Sequence, residues 1–225
     1  MQHQIKQKPE FAIVQVAFDQ PGEQMLVEAS AMVAKDTAIE MKTQMQGGIM
    51  GAAKRKLLGG ESVFQNTFTA TQAGQTLWLA PGEEGDVEVL QLDGSYGLMM
   101  QSGAFLACAP SVNLDTKWGG AKGFFSGTGV FLLKAEGTGP IFFSCYGGLH
   151  AVDIGPEGYV CDTGHIVAFT SGLQYTVTKV GGLKSLFLSG EGLVARFQGQ
   201  GRLWISTRNP SALASFIAPF RPTKQ

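Results

Sequence analysis

Residues that could carry out catalysis are few in this chain. Cys161 and His165 lie four positions apart with Asp162 between them, and on a strand an even spacing places two side chains on the same face. A thiol beside an imidazole is the nucleophile arrangement of cysteine-dependent enzymes. The same spacing also fits a buried structural pair. We favour the structural interpretation and expect no enzyme.

Residues that could bind a metal ion are equally dispersed. His3 lies near the N-terminus, whereas His150 and His165 fall in separate predicted strands. A cupin-like centre would need two or three histidines and a carboxylate that converge, and the spacing provides no such cluster. The acidic turn Glu-Glu-Gly-Asp at 83–86 either holds a cation or is simply solvated. We therefore expect neither a metal ion nor another cofactor.

The residues best suited to binding lie in three glycine-rich stretches, GGIMGAAKRK, WGGAKGFF and VGGLKSLF. The first contains a dense positive run, and such runs bind phosphate on nucleic acids or on lipid headgroups. The tryptophan beside two glycines suits base stacking or insertion at a membrane interface. The alternatives are a solvated connector for the basic run and core packing for the tryptophan. The candidate binding residues are Lys54, Arg55, Lys56, Trp118, Lys122 and Lys184.

Composition indicates a packed protein without a general affinity for nucleic acid. Hydrophobic residues make up 44% and charged residues 16% of the 225 residues, which is ample for a core. The net charge of −1 provides no basic field to attract nucleic acid or anionic lipid. The first ten residues lack the apolar stretch of a signal peptide, and no uncharged apolar run approaches the ~20 residues of a membrane span. We expect a soluble, cytoplasmic protein.

The three cysteines, Cys108, Cys145 and Cys161, are odd in number and show no CxxC spacing. This usage is typical of free thiols in a reducing compartment and not of a disulfide framework. We therefore expect all three to be buried and reduced.

The glycine-rich stretches belong to a longer pattern that occurs three times. The segments GGESVFQNTF, SGTGVFLLKAEG and SGEGLVARFQGQG align with Gly60, Gly127 and Gly190 in register. Each is followed by a glycine-containing turn and an apolar triplet, and each is preceded by a second matching block. Similarity at a nearly fixed period indicates one structural unit that is built several times. The preceding blocks are SAMVA at 30–34, GAFLA at 103–107 and GHIVA at 164–168.

Each unit is predicted to contain a strand pair, a Gly-Gly-Lys connector and a hairpin, because polar and apolar residues alternate with period two. A C-terminal helix follows, with Asn209 as N-cap, Pro210 in its first turn and Pro219 as its stop. A weaker helix is predicted over IMGAAKRKLL. The predicted units span 11–90, 91–153 and 154–209, and the helix and tail span 210–225.

The blocks GGIMGAAKRKLLGGES, WGGAKGFFSGTGVFLLKAEGTGP and LSGEGLVARFQGQGRLWIST resemble the altered-inheritance-of-mitochondria protein 24 family, whose bacterial members are uncharacterised. The resemblance implies β-sandwich units similar to the tryptophan RNA-binding attenuator protein, a relative of the short double-stranded β-helix. It also implies a trimer in which three chains of three units form a nine-unit ring. Eukaryotic relatives are linked to the organisation of the mitochondrial inner membrane, and the resemblance implies no enzymatic activity.

Taken together, these features predict an all-β fold of three tandem β-sandwich or short double-stranded β-helix units that forms a homotrimer. Apolar strands left open at either end of the triplet need a partner, and closure of a ring removes such edges. The function we expect is a non-catalytic ring or scaffold that associates with a membrane surface or a protein partner. The alternative is a ring that binds nucleic acid or a small ligand, and the low basic content argues against nucleic acid.

Overall fold

The structure is a computed structural model that describes residues 1–45, 64–115, 132–179 and 193–221. Within these residues the chain forms antiparallel strands and one short C-terminal α-helix. The predicted all-β fold with a C-terminal helix is therefore confirmed. The strands fall into three groups along the chain.

The bounds of the strands in the first group are β1 (Gln2–Lys6), β2 (Ile13–Ala17), β3 (Gln24–Glu28), β4 (Met32–Lys35), β5 (Glu40–Met45), β6 (Phe64–Thr69) and β7 (Thr76–Leu79). The second group comprises β8 (Gly85–Asp93), β9 (Leu98–Gln101), β10 (Phe105–Cys108), β11 (Val112–Asp115) and β12 (Leu132–Tyr146). The third group comprises β13 (Leu149–Ile154), β14 (Tyr159–Asp162), β15 (Ile166–Thr170), β16 (Gln174–Lys179), β17 (Leu193–Gln198) and β18 (Gly201–Ser206).

The first and third groups share one arrangement of two three-stranded sheets. In the first group β7 lies between β2 and β4, while β6 lies between β3 and β5. In the third group β18 lies between β13 and β15, while β17 lies between β14 and β16. β1 extends the first group by pairing with β2. Each central strand thus has both of its edges hydrogen-bonded within its own sheet.

The second group reaches the same arrangement with one long strand. The C-terminal half of β12 lies between β8 and β10, and its N-terminal half lies between β9 and β11. Gly137 and Gly139 sit at the middle of β12 with φ of 125° and 122°, values that side chains rarely adopt. A Cβ on Gly137 would fall 2.2 Å from the carbonyl oxygen of Ser111. Glycine at this point therefore lets one strand serve both sheets.

Alternation of buried and exposed side chains explains why these segments pair as they do. In β2 the side chains of Val14 and Val16 are fully buried, and in β7 those of Leu77 and Leu79 are fully buried. They pack in one cluster with Phe68 of the opposite sheet. The two sheets of a group therefore enclose a shared apolar layer, which is the arrangement of a β-sandwich.

Two further ladders join the groups. β10 of the second group pairs with β3 of the first, and β15 of the third group pairs with β9 of the second. The cores are also shared across these junctions. Leu106 and Phe142 of the second group lie in the core of the first, and Met99 and Leu132 lie in the core of the third.

The predicted hairpins are wrong. β6 does not pair with β7, nor β17 with β18, and the two halves of β12 do not pair with each other. In each group these segments lie in opposite sheets, because each is already hydrogen-bonded on both sides by other strands. A period of two identifies a strand but does not identify its partner.

The C-terminal helix prediction is confirmed. α1 (Pro210–Ile217) begins after Asn209, whose side chain accepts a hydrogen bond of 2.8 Å from the backbone nitrogen of Ser211. A single 3-10 turn, Ala218–Phe220, follows. The second predicted helix, at 49–58, lies outside the described residues. In the part of the chain that the structure describes, no helix combines the length and apolarity needed to cross a membrane.

Two strands cross the predicted boundaries between the units. β8 runs across the predicted boundary between 90 and 91, and β13 runs across the one between 153 and 154. The start of each later group therefore precedes the predicted boundary by a few residues. The division of the chain into three units stays a prediction.

Substitution of Gly85 by alanine is expected to destabilise the protein by about 3 kcal/mol, because overpacking against backbone has no soft neighbour to displace. Gly85 begins β8 at the junction of all three groups, where its carbonyl accepts a hydrogen bond from Ala12. A Cβ there would fall 1.9 Å from the carbonyl oxygen of Cys145. Urea unfolding monitored by circular dichroism measures the change.

The matched control is Gly103→Ala. A Cβ on Gly103 meets nothing within 4 Å, so this variant should unfold at the same urea concentration as the wild type. Equal midpoints for the two variants would contradict the steric account of the junction.

Candidate functional site

All six candidate binding residues lie outside the described residues. Lys54, Arg55 and Lys56 fall in the stretch 46–63, Trp118 and Lys122 fall in 116–131, and Lys184 falls in 180–192. Their assignment as binding residues stays a prediction. What the structure describes is the strands from which these three stretches start and to which they return.

The three stretches are flanked by equivalent strand pairs. The first connects β5 to β6, the second connects β11 to β12, and the third connects β16 to β17, and each pair is antiparallel. The pairing reaches Met45 opposite Phe64 in the first and Lys179 opposite Leu193 in the third. Each stretch therefore leaves and re-enters its group at the same end of the same sheet.

Cys161 and His165 do not interact with each other in the described fold. The thiol of Cys161 donates to the carbonyl oxygen of Asp162 over 3.3 Å. The Nδ1 atom of His165 lies 2.8 Å from the carbonyl oxygen of Ser206. Each side chain is thus bonded to backbone, as expected of the structural pair.

Asp162, which lies between Cys161 and His165, stabilises the turn that follows β14. The carboxylate of Asp162 accepts a 2.7 Å hydrogen bond from the backbone nitrogen of Gly164 and caps the 3-10 turn Thr163–His165. Burial raises the pKa of the Cys161 thiol to about 11, with a further contribution from the negative charge of Asp162. A nucleophilic cysteine needs the opposite shift, so this geometry does not activate the thiol.

The other two cysteines are buried and unpaired. Cys108 and Cys145 are free thiols, and burial raises the pKa of each to about 12. Thiolates at these positions are suppressed at neutral pH because the charged form is disfavoured in apolar surroundings.

The acidic turn at 83–86 is occupied by contacts within the protein. Asp86 is buried, and its carboxylate accepts hydrogen bonds from the backbone nitrogens of Val87 and Leu149 at 2.9 and 3.4 Å. The ammonium group of Lys8 lies 3.5 Å from it. Asp86 therefore ties the starts of the three groups together. Among the described residues, no three His, Cys, Asp or Glu side chains converge in a way that would suit a metal ion.

Two strands at opposite ends of the series have an unpaired outer edge. Within the described residues β4 pairs only with β7, and β14 pairs only with β17. The counterparts of β4 are β10 and β15, and both pair on two sides. The counterparts of β14 are β3 and β9, and both also pair on two sides. The strand edges that join neighbouring groups are therefore paired at the two internal junctions, and the equivalent edges of β4 and β14 are open among the described residues.

The side chains of β4 are exposed although they are apolar. Met32 is 39% exposed and Val33 is 55% exposed. The difference from the counterparts follows from the outer edge of β4, which no described strand covers. The residues at the matching positions of β10 and β15 are at most 5% exposed: Phe105, Leu106, Ile166 and Val167.

The side chains of β14 show the same difference. Tyr159 is 40% exposed and Val160 is 49% exposed, whereas the matching Leu98 and Met99 of β9 are at most 2% exposed. Met25, which matches Tyr159 in β3, is fully buried. The two open strands together form a pair of apolar edges, the surface most prone to pair with another chain.

The two internal junctions, β10 with β3 and β15 with β9, pair in the same register. Ala107 of β10 lies opposite Val27 of β3, and Ala168 of β15 lies opposite Met100 of β9. These two pairs occupy matching positions, because the alanines end the blocks GAFLA and GHIVA. The sequence predicts that strands at the ends of the series stay open, but only the strand pairing identifies which strands and which register.

The chain resembles known proteins over nearly its whole length. An uncharacterized protein of Streptococcus pyogenes serotype M6 is 26% identical over 230 residues, which cover 99% of this chain and 92% of that protein. The crystal structure of the Streptococcus pyogenes protein SPYM3_0169 matches with a TM-score of 0.80 at 24% identity, covering 98% of this chain and 99% of that one. This second likeness supports the fold. The model of the family described as mitochondrial biogenesis AIM24 matches residues 3–208, and the chain therefore belongs to this family.

Proposed function

We propose that the protein is a self-assembling ring in which β4 of one protomer pairs with β14 of the next. The observation that carries the proposal is that each of these strands is open and apolar here, while its counterparts are paired and buried at the two internal junctions. Pairing of β4 with β14 repeats a contact that the chain already makes twice. It covers unpaired backbone groups and apolar side chains in one step.

The internal junctions also supply a register for this contact. Ala34 ends the block SAMVA and matches Ala107 and Ala168, and Cys161 matches Val27 and Met100. In the ring Cys161 of one protomer therefore lies opposite Ala34 of the next, and Val160 lies opposite Lys35. Burial of Val33 and Val160 contributes about 1.5–3 kcal/mol for each side chain.

Such a contact is heterologous, since two different surfaces meet. A heterologous contact produces a ring when its rotation closes and a filament when it does not. The family resemblance implies closure with three chains. Three protomers then arrange nine two-sheet groups around one axis, and every β4 and β14 edge is paired.

In such a ring the role of the protein is that of a non-catalytic scaffold. Equivalent ends of the three groups carry the stretches 46–63, 116–131 and 180–192. The rim of a trimer therefore carries nine such stretches, three from each protomer. Each contains a glycine pair followed by lysine and apolar residues. Many weak sites on one rigid body bind a surface far more tightly than one site does. We infer that this rim contacts an anionic membrane surface. Buried free thiols suit a protein of the cytoplasm, so we propose the cytoplasmic side of such a membrane.

Substitution of Val33 or Val160 by arginine is expected to dissociate the ring. Each change places an unpaired charge in a contact that is buried in the assembly, at a cost of about 3–5 kcal/mol. Light scattering on a sizing column should give three times 23.9 kDa for the wild type. Both variants should give the mass of one chain.

The matched control for this prediction is Met41→Arg. Met41 is 47% exposed on β5, which pairs with one described strand, as its counterparts β11 and β16 do. This variant should stay trimeric. A monomeric wild type, or arginine variants that stay trimeric, would remove the proposed contact.

Replacement of Lys54, Arg55 and Lys56 by alanine is expected to weaken binding to anionic vesicles. Each basic residue near such a surface contributes about 1 kcal/mol, so the loss is on the order of 100-fold per site before multivalency. Cosedimentation with phosphatidylserine vesicles at two salt concentrations measures this. The control variant replaces Arg196, Arg208 and Arg221 by alanine and makes the same change in net charge.

Equal binding by the two variants would contradict a role for the basic run. Binding of mixed RNA at low salt, with no binding to vesicles, would instead support the alternative of a nucleic-acid-binding ring.

A further inference from the structure

No side chain of the C-terminal helix is buried by the part of the chain that the structure describes. Every residue from Pro210 to Arg221 is exposed, and none from Pro210 to Phe220 is charged. Phe216 is 70% exposed and Phe220 is 76% exposed, with their ring centroids 5.9 Å apart. Leu213 and Ile217 add to the same apolar segment at 39% and 43% exposure. This is a continuous apolar surface.

A helix of this length needs support from outside itself. Eight residues are too few for a stable isolated helix in water, since the cost of nucleation is recovered only over more turns. An apolar patch of this kind on an otherwise packed protein marks an interface. α1 therefore has a partner in the functional state.

The base of α1 is fixed beside the open strand β14. The hydroxyl of Ser206 donates to the carbonyl oxygen of Arg208 over 2.8 Å, and Asn209 lies against the turn that follows β14. A Cβ on Gly164 in that turn would fall 2.3 Å from the Nδ2 atom of Asn209. The helix thus starts next to the edge that the neighbouring protomer would occupy.

The internal junctions indicate which part of the neighbour lies there. The side-chain amide of Gln101, at the end of β9, donates to the carbonyl oxygen of Ile166 at the start of β15. Gln101 matches Asp162, because each precedes the 3-10 turn that leads to the next strand, and Ile166 matches Met32. In the ring, the start of β4 in the next protomer therefore lies beside the end of β14 and the base of α1.

The same end of the first group carries another exposed aromatic residue. Val14 of β2 and Met32 of β4 both lie opposite Leu79 of β7, so the residues before β2 lie at the same end as Met32. Phe11 is among them and is 65% exposed. A short apolar helix that starts beside Met32 can reach Phe11 across one strand.

We propose that α1 packs across this end of the adjacent protomer, with Phe216 in contact with Phe11 of that protomer. The inference rests on the head-to-tail assembly proposed above. A bilayer is the less suitable occupant, because helices that lie on membranes have a charged face rich in lysine or arginine, and α1 has none. α1 then adds a side-chain contact between neighbouring protomers, outside the β4–β14 ladder; we call this helix contact the clasp.

The test is a disulfide between protomers of the full-length double variant Phe11→Cys, Phe216→Cys. The native thiols are buried and do not compete. After mild oxidation, a denaturing gel without reductant should show covalent dimers and trimers, and reductant should return them to the single-chain band. The matched control pairs Phe11→Cys with Ser215→Cys, one residue around the helix, and should lose most of this cross-linking.

Light scattering on the reduced variants separates the two proposals. A trimer that forms no covalent bond between protomers overturns the position of α1 and leaves the ring intact. A covalent bond confined to single chains, seen as a faster-moving monomer band, overturns it as well. A monomer in solution removes the ring and the clasp together.

Discussion

Backbone pairing between the groups is the constraint on which the rest of the structure depends. A strand edge carries a row of hydrogen-bond donors and acceptors that must be satisfied or solvated. Inside the chain, β3 and β9 each satisfy one edge through β10 and β15 of the following group. These two ladders join the three groups of strands into one continuous series, and they bury Leu106 and Val167 at the junctions. What is exposed at the two ends of the chain follows from the same rule.

Because their cores are shared, the groups do not pack as independent units. Phe142 of the second group packs with Val14 and Phe68 of the first. Trp204 of the third group contacts Phe143 edge-on, with ring centroids 5.4 Å apart. A small sandwich has too little interior to be stable alone, so each group completes its core with side chains from its neighbour. Among the described residues, β4 and β14 lack the neighbouring strand that completes each internal junction.

Sequence alone predicts much of this fold because its signals are local. Alternation identifies strands, and Asn209 followed by Pro210 identifies the start of α1. Partner choice is not local, which is why the predicted hairpins are wrong: β6 and β7 are adjacent in sequence but belong to opposite sheets. The roles of Cys161 and His165 also depended on long-range contacts, since His165 is bonded to Ser206. The block SAMVA signals an edge strand only when Ala107 and Ala168 are seen to pair in one register.

The most direct test of the account is a disulfide across the proposed β4–β14 contact. Residues directly opposite on antiparallel strands have Cβ atoms about 4.5–5.5 Å apart, close enough for an engineered bridge with slight adjustment. The full-length variant Lys35→Cys, Val160→Cys would be oxidised and run on a denaturing gel without reductant. The account predicts covalent trimers that reductant reverses, with little bridging when Tyr159→Cys replaces Val160→Cys, because Tyr159 points to the other face. A trimer in solution without this bridge would show that the protomers meet through other surfaces and would contradict the account.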